Sequence, residues 1–519
     1  MKSQYVRLNR NLVYVSIVSL VFCISCKDMK ENVTNNYRTV VKSRPNIVYI
    51  LADDMGYGDI SALNPEAKVS TPTLDSLVSS GMRFSDAHSS SSVCTPSRYS
   101  ILTGRYAWRS SLKRGVTWGY SPPLIESSRT TVASLLKSNG YTTACIGKWH
   151  LGMTWPLKEN QMPPWDNPDL HPSQYSNEVI DFSKPIANGP TALGFDYFFG
   201  IPASLDMRPY CYIENETILG LPMKPVEKEI LAERDSLVQW KAGMAASNFK
   251  HNEVLPKLTE KAVSFIQENK NKPFFLYFPL TAPHSPILPA GKFKGTSKAG
   301  TYGDFIHMVD DVVKTISNTV RAEGLTENTL FIFTSDNGTF QRAYIDPDFK
   351  HDGNFIYRGQ KADIYEGGHR IPFIASWKDI IAPNSSSETP ILLNDLMATL
   401  ADLLGKEPKE SEGEDSKSIL PLLIGQSKKV EGRDFLIHHS SRGFFAIRKD
   451  SLKLIDGLGS GGFTKPFSLK PASHKTSFQL YDLTKDVTET DNIFDGTKKE
   501  YKTLIKTLDE FTKEGKQDF

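Results

Sequence analysis

Four stretches of the chain are strand-like and apolar: Pro45-Asn-Ile-Val-Tyr-Ile-Leu51, Tyr141-Thr-Thr-Ala-Cys-Ile146, Phe274-Phe-Leu-Tyr-Phe278 and Leu330-Phe-Ile-Phe-Thr334. A strand with one wet face alternates polar and apolar side chains, whereas continuous apolar runs must be covered on both faces. Helical patterns lie between the runs, at residues 71–81, 130–139, 255–269 and 303–323. In the third, Leu258, Ala262, Phe265 and Ile266 share a face; in the fourth, Phe305, Val309, Val312, Ile316 and Val320 do. The expected class is α/β, a large mostly parallel sheet sandwiched by helices, over residues 45–431. From about Arg433 short strands with polar turns follow, then a helix over 497–512 carrying Leu504 and Leu508. This predicts a smaller C-terminal α+β domain with an antiparallel sheet at 432–519. A length of 519 residues suits two such bodies.

Each strand ends in chemistry. The first runs into Asp53-Asp54 and the turn Gly56-Tyr-Gly58, the second into Lys148 and His150. The third leads to His284, the fourth to Asp336-Asn337. Ligands of a parallel α/β sheet bind beyond the carboxyl ends of its strands, so these distant residues are expected in one crevice. Adjacent carboxylates repel unless a cation or proton lies between them, and Asp53, Asp54, Asp336 and Asn337 are oxygen ligands suited to a hard divalent ion. Lys148 and His150 point the same way if extended geometry persists, an ammonium for an oxyanion beside an imidazole for a proton. Each feature also has an ordinary reading: a solvated acidic turn, a surface Lys, a structural His, an Asp-Asn-Gly turn. Their joint occurrence argues for a site.

Residues 89–106 read as a polar turn entering a short helix. Pro96 suits the first helical turn and Gly104 a left-handed end. Cys94 then sits at a helix N-terminus with Arg98 one turn on, a setting for a reactive cysteine rather than a core filler.

Cys94-x-Pro96-x-Arg98 followed by Leu102-Thr103-Gly104-Arg105 resembles the signature of the type I, formylglycine-dependent sulfatases. So do Asp53-Asp54-Met-Gly-Tyr-Gly-Asp, Gly147-Lys-Trp-His-Leu-Gly152, Ala282-Pro-His284 and the spacing from Lys361 through Glu366-Gly-Gly to Arg370. Gly200-Ile-Pro-Ala-Ser204-Leu-Asp206 is similar to an arylsulfatase A-like segment, with Leu205 where relatives often carry His. The resemblance spans about residues 46–372. It implies an alkaline phosphatase-like fold and oxidation of Cys94 to formylglycine, whose hydrate is the nucleophile, by a formylglycine-generating maturation enzyme. It implies Ca²⁺, or alternatively Mg²⁺, held by Asp53, Asp54, Asp336, Asn337 and residue 94. Lys148 and Lys361 would hold the sulfate, with Ser204 near it, and Arg98 would anchor the hydrate. His284 would be the general acid, His150 the base that expels sulfate and Asp336 a proton acceptor. Glu366 and Arg370 would hold their loop.

The expected activity is hydrolysis of a sulfuric ester on a carbohydrate, galactose or N-acetylgalactosamine sulfate of mucin or glycosaminoglycan. Residues 153–190, rich in Pro, Asn, Asp and Ser, are read as part of the substrate rim, with Trp108, Trp118, Tyr120 and His171 as its aromatic and imidazole members. Arg208, Tyr210 and Glu214 are candidate substrate contacts, and His438 and His439 could approach from the C-terminal domain. The alternatives are a phosphate or phosphonate ester hydrolase on the same scaffold, a non-catalytic glycan-binding surface lipoprotein, and a thiol hydrolase using Cys94. A net charge of +2 makes no bulk case for a nucleic-acid partner.

The start of the chain has a basic segment with Lys2, Arg7 and Arg10, an apolar run over 12–24, and Ile24-Ser25-Cys26. Residues 1–25 read as a lipoprotein-type signal peptide. Cys26 is its lipidated product residue, and residues 26–44 are a flexible tether. The protein is thus expected as an exported, periplasmic or cell-surface lipoprotein of a bacterium. Cys145 is expected as a core thiol.

Overall fold

The apolar runs pair as neighbours in a ten-stranded sheet. Its order is Ser385–Ser387, Met82–Phe84, Phe373–Ser376, Thr329–Ser335, Asn46–Asp53, Phe274–Pro283, Thr142–Lys148, Tyr197–Ile201, Ile213–Glu214 and Thr217–Ile218. This computed structural model describes residues 44–513 except 168, 234, 235, 346, 408, 410 and 471–476. The signal segment, Cys26 and all but the last residue of the tether lie outside the described residues.

The middle five strands, from Thr329–Ser335 to Tyr197–Ile201, are parallel. Antiparallel pairings flank them on both sides, so the sheet is mixed and parallel in its centre. Tyr197–Ile201 is a fifth parallel strand beyond the four expected; five residues between Asp196 and Pro202 leave little periodicity to recognise. Phe274–Pro283 continues through Pro279, five residues beyond the apolar run, and the chain bends at His284. A register shift between Leu51 and Asp53 accommodates this extension.

Pro72–Ser80, Val254–Asn269 and Gly300–Ala322 pack on one face of the sheet. Cys94–Thr103, Val132–Lys137 and Leu396–Leu403 pack together on the other. The inward side chains of Val254–Asn269 and Gly300–Ala322 are the predicted ones, each buried. Each such aliphatic or aromatic side chain stabilises the fold by ~1.5–3 kcal/mol. Cys145 is fully buried in its strand.

The described residues from 45 onward form one compact unit. Within it Leu436–His439, Phe445–Lys449, Leu452–Asp456 and Phe478–Asp482 make an antiparallel sheet in chain order, covered by Lys499–Thr512 through Tyr501, Leu504 and Leu508. Tyr106, Trp108 and Leu392 of the larger body share its core. Trp108 is therefore a buried packing residue, not a member of the rim: it stacks on Tyr106 at 4.2 Å and meets Phe445 edge-on. Tyr120, 2% exposed and edge-on to Trp155, is likewise core.

Candidate active site

Strand register brings the polar ends to one level. Ala52 pairs with Ser335, so Asp53-Asp54 lie beside Asp336-Asn337, and Asp53 pairs with Pro283 next to His284. Lys148 ends its own strand beside Ile201, three residues before Ser204. Gly147, at φ 141°, lets that strand approach Pro279 where a Cβ would lie 1.9 Å from a carbonyl oxygen.

Cys94 is the first residue of the helix Cys94–Thr103, which Gly104 closes in a left-handed conformation at φ 65°. Its Sγ lies 3.6 Å from Asp53 Oδ1 and 4.0 Å from Asp54 Oδ1. Lys148 Nζ donates to both Asp53 oxygens, at 2.9 and 2.8 Å, and to Ser204 Oγ at 3.2 Å. Lys361 Nζ donates to Asp54 Oδ2 at 2.6 Å. Arg98 grips Asp336 Oδ2 through Nε and Nη2, at 3.0 and 2.8 Å, and donates to the Lys148 carbonyl at 3.1 Å. Three carboxylates thus face three cations in a buried pocket.

Burial alone would raise Asp53, yet Lys148, then His284 and Arg98, hold it well below the usual carboxylate range. Asp54 is lowered in the same way by Lys361 and His284. Asp336 goes the other way, pushed up to about 6 by burial against the pull of Arg98. Burial also pushes the Cys94 thiol up, against Lys148 and Lys361. This burial works against the ionisation that a helix N-terminus favours at residue 94.

His150 sits at φ 58°, so extended geometry ends at Lys148 and the two side chains do not share a strand face as expected. Its Nε2 donates to the Thr117 carbonyl at 2.8 Å, which leaves Nδ1 as a buried lone pair with no partner among the described residues. Burial, then Lys148 and Arg98, hold His150 well below the ordinary histidine range. His284 donates from Nδ1 to the Ser285 carbonyl at 2.6 Å, and its Nε2 lies 3.6 Å from Asp54 Oδ2. Ser204 Oγ is 3.2 Å from His284 Nδ1.

The residues fit a hard divalent cation. Asp53, Asp54, Cys94 and His284 offer ligand atoms within 4.8 Å of one another. Asn337 donates to Asp54 Oδ1 at 2.7 Å while its buried Oδ1 has no partner among the described residues, an amide oxygen left over beside carboxylates.

Sequence reasoning missed the groups that brace Asp54. Tyr344 donates to its Oδ2 at 2.8 Å. Tyr302 donates to Asp59 at 2.6 Å and accepts from Thr339, and His351 closes on Asp59 at 2.8 Å. Asp59 belongs to the Asp53–Asp59 motif and carried a signal; Tyr344 sits 290 residues from Asp54 and carried none.

Several expected substrate contacts are scaffold. Tyr210 is 1% exposed, and its hydroxyl donates to the carbonyls of Asp206 and Lys241. Arg208 donates to the carbonyls of Ala242 and Ser173, tying loops together. Glu214 pairs with Lys261 and accepts from Tyr197. His171 is exposed and meets the half-buried Trp118 edge-on, with Lys241 over the Trp118 ring at 3.8 Å.

His438 and His439 are buried against the loop before Cys94, not among the carboxylates and lysines of the site. His438 stacks on His369 at 3.9 Å and faces the Ser89 carbonyl; His439 exchanges backbone hydrogen bonds with Ser90 and Ser92. Both clamp the loop that enters Cys94. Beneath it Lys453 bridges Glu366 and Glu489 at 2.9 and 2.8 Å, and Arg370 holds Glu366 at 3.0 Å.

A helix-mouth residue set against carboxylates, with lysines for an anion and histidines for protons, defines a hydrolase of anionic esters. The sequence model of the sulfatase family matches residues 45–406. An N-acetylgalactosamine-6-O-sulfatase of Bacteroides thetaiotaomicron is 32% identical over 97% of this chain and 98% of its own. Human arylsulfatase A is 32% identical over 87% and 84%. A structure solved in work on the metabolism of multiple glycosaminoglycans by B. thetaiotaomicron superposes with a TM-score of 0.75 at 31% identity, covering 90% of this chain and 98% of that one. The chain belongs to the sulfatase family. It is an enzyme of the alkaline phosphatase-like superfamily, which sets aside the non-catalytic reading.

Proposed function

We propose that this sulfatase removes sulfate from a sulfated galactose or N-acetylgalactosamine of a glycosaminoglycan or mucin, at the 6-position. The observation that carries the reading is the end-to-end similarity to a relative named for N-acetylgalactosamine 6-sulfate. His171, exposed within residues 153–190, and the half-buried Trp118 that it meets edge-on supply an imidazole and an indole for a sugar.

Residue 94 acts as formylglycine, made from Cys94 by a formylglycine-generating enzyme. Its hydrate would supply one hydroxyl as the nucleophile toward sulfur and a second hydroxyl whose loss of a proton would release sulfate. Asp53, Asp54, Asp336 and Asn337 would hold Ca²⁺, or Mg²⁺ in its place, which would supply positive charge at the site. Lys148 and Lys361 bind the sulfuryl oxygens, directed by Ser204, and oppose the charge that builds on them. Asp336 takes the proton of the attacking hydroxyl, with Arg98 fixing its carboxylate. His284, held by Ser285, gives a proton to the leaving sugar oxygen. His150 Nδ1 receives the proton of the second hydroxyl, its ring held by Thr117.

The chain is exported and anchored through a lipidated Cys26; intact mass of membrane-extracted protein checks both that and the loss of thiol at 94. The substrate test is release of sulfate from defined 6-sulfated and 4-sulfated galactose, N-acetylgalactosamine and N-acetylglucosamine by matured enzyme. The 6-sulfated galacto sugars are expected to be fastest. A preference for 4-sulfates or gluco sugars overturns the assignment.

A further inference from the structure

Asp54 stands in a left-handed backbone conformation at φ 66°, which few residues other than glycine adopt. Its surroundings hold it there. Its N–H donates to Asp336 Oδ1 at 3.1 Å, and its Oδ1 accepts from Asn337 at 2.7 Å and faces Cys94 Sγ at 4.0 Å. Oδ2 accepts from Lys361 at 2.6 Å and from Tyr344 at 2.8 Å. With Oδ2 so occupied, Oδ1 is the carboxylate oxygen on the side of residue 94.

Tyr344 reaches Asp54 from the short helix Gln341–Tyr344, and its ring is packed on several sides. It is 4% exposed, stacks on Tyr302 at 5.7 Å and meets Phe340 and His284 edge-on at 5.6 and 6.3 Å. Its hydroxyl has a second partner, accepting from the Ser285 N–H at 3.3 Å. The carbonyl of that same Ser285 accepts from His284 Nδ1 at 2.6 Å. One phenol oxygen therefore touches a carboxylate of the cation site on one side and the residue that orients His284 on the other. Both bonds go to the chain itself, so the hydroxyl holds other groups in place.

We propose that Tyr344 is a positioning residue whose hydroxyl couples the cation site to the general acid. It keeps Asp54 Oδ1 as the ligand oxygen and fixes the Ser285 residue that sets the His284 ring. The proposal rests on the reading, given above, of Asp54 as a cation ligand and His284 as the acid. A single hydrogen-bonded link then aligns both, and loosening it disturbs both together.

The test compares matured, metal-stripped wild type with Tyr344→Phe, which deletes the hydroxyl and keeps the ring. Calorimetric titration with Ca²⁺, and with Mg²⁺ in a parallel arm, reads the cation site without turnover. Rates at saturating cation, on the sulfated sugar that wild type cleaves fastest and on an activated aryl sulfate, read the acid. The variant should raise the cation Kd ~10-fold, the size of one hydrogen bond to a charged group. Its kcat on the sugar sulfate should fall ~10-fold further than its kcat on the aryl sulfate, whose leaving group needs no proton. A tyrosine that only fills the core would lower the melting temperature of the metal-stripped protein and leave both Kd and the ratio of the two rates as in wild type; that result overturns the proposal. A change in Kd without a change in the ratio, or the reverse, also overturns it, because the coupling requires both. Wild type that binds neither cation, or whose His284→Ala variant loses equally on the two esters, overturns instead the roles of Asp54 and His284 on which the proposal stands.

Discussion

Cys94 is 2% exposed and packed on Asp53, so its side chain serves the site and not the core. Cys94→Ala is expected to lower kcat by at least ~10³-fold with an unchanged melting temperature, because it deletes the nucleophile and almost no buried volume. Calorimetry beside a turnover assay checks this; a large loss of stability would show that residue 94 holds the fold. His284→Ala should cost ~10²–10⁴-fold on a sugar sulfate and far less on an activated aryl sulfate, whose leaving group needs no proton. Equal losses on the two substrates would remove His284 from the role of acid. Tyr344 shows the limit at this scale: no local pattern distinguishes it from the other tyrosines, and only the packing of its helix against Asp54 gives it a task.

Two joints between elements carry separate expectations. Gly104 ends the nucleophile helix at φ 65°, and a Cβ there would lie 2.7 Å from both Gly413 Cα and Met397 Cβ. Gly104→Ala should therefore destabilise by ~1–3 kcal/mol through strain and crowding, read as a lowered denaturation midpoint. Lys453, on a strand of the C-terminal sheet, is buried between Glu366 and Glu489. Lys453→Met would leave those carboxylates facing each other and should cost ~3–5 kcal/mol. A variant as stable as wild type would mean that the sheet docks through its apolar core alone. The helices, the four long strands and the small sheet were legible because period and capping are local properties. The Tyr197–Ile201 strand and the sharing of the C-terminal core with Trp108 were not, since five residues hold little period and burial of an aromatic depends on what covers it.

For the whole molecule, acid is the expected weakness. His88, His150, His251, His369, His438 and His439 are each held below the ordinary histidine range, first by burial, His251 and His439 to about 4. As pH falls below 6.5 the unfolded chain takes up protons at these six that the folded chain refuses, so their contribution, complete above 6.5, is lost toward the folded values. Asp336 at about 6 and Glu489 at about 7, with Asp310, Asp352, Asp363, Asp402 and Asp415, are raised first by burial and work in the opposite sense. His150, His369 and His438 are held well below their ordinary range, whereas most of these carboxylates are raised only modestly, so the melting temperature should fall from pH 6.5 to 4. A flat or rising profile over that interval would contradict the balance. Removing the divalent ion with a chelator should abolish turnover and lower the melting temperature. Re-addition of Ca²⁺ or Mg²⁺ singly tells which ion restores both.

By itself the sequence determined the layered α/β architecture, the residue types at the strand ends and the family they belong to. Apolar period and motif spacing are written locally and survive without coordinates. The tertiary structure alone decided which side chains share the crevice and with what partners. It aligned Asp53, His284 and Asp336 by register, turned His150 through a positive φ to face Thr117, and withdrew Trp108, Tyr120, Tyr210 and His438 into the interior. Burial and charge pairing depend on residues hundreds of positions apart, and no one-dimensional pattern encodes that proximity.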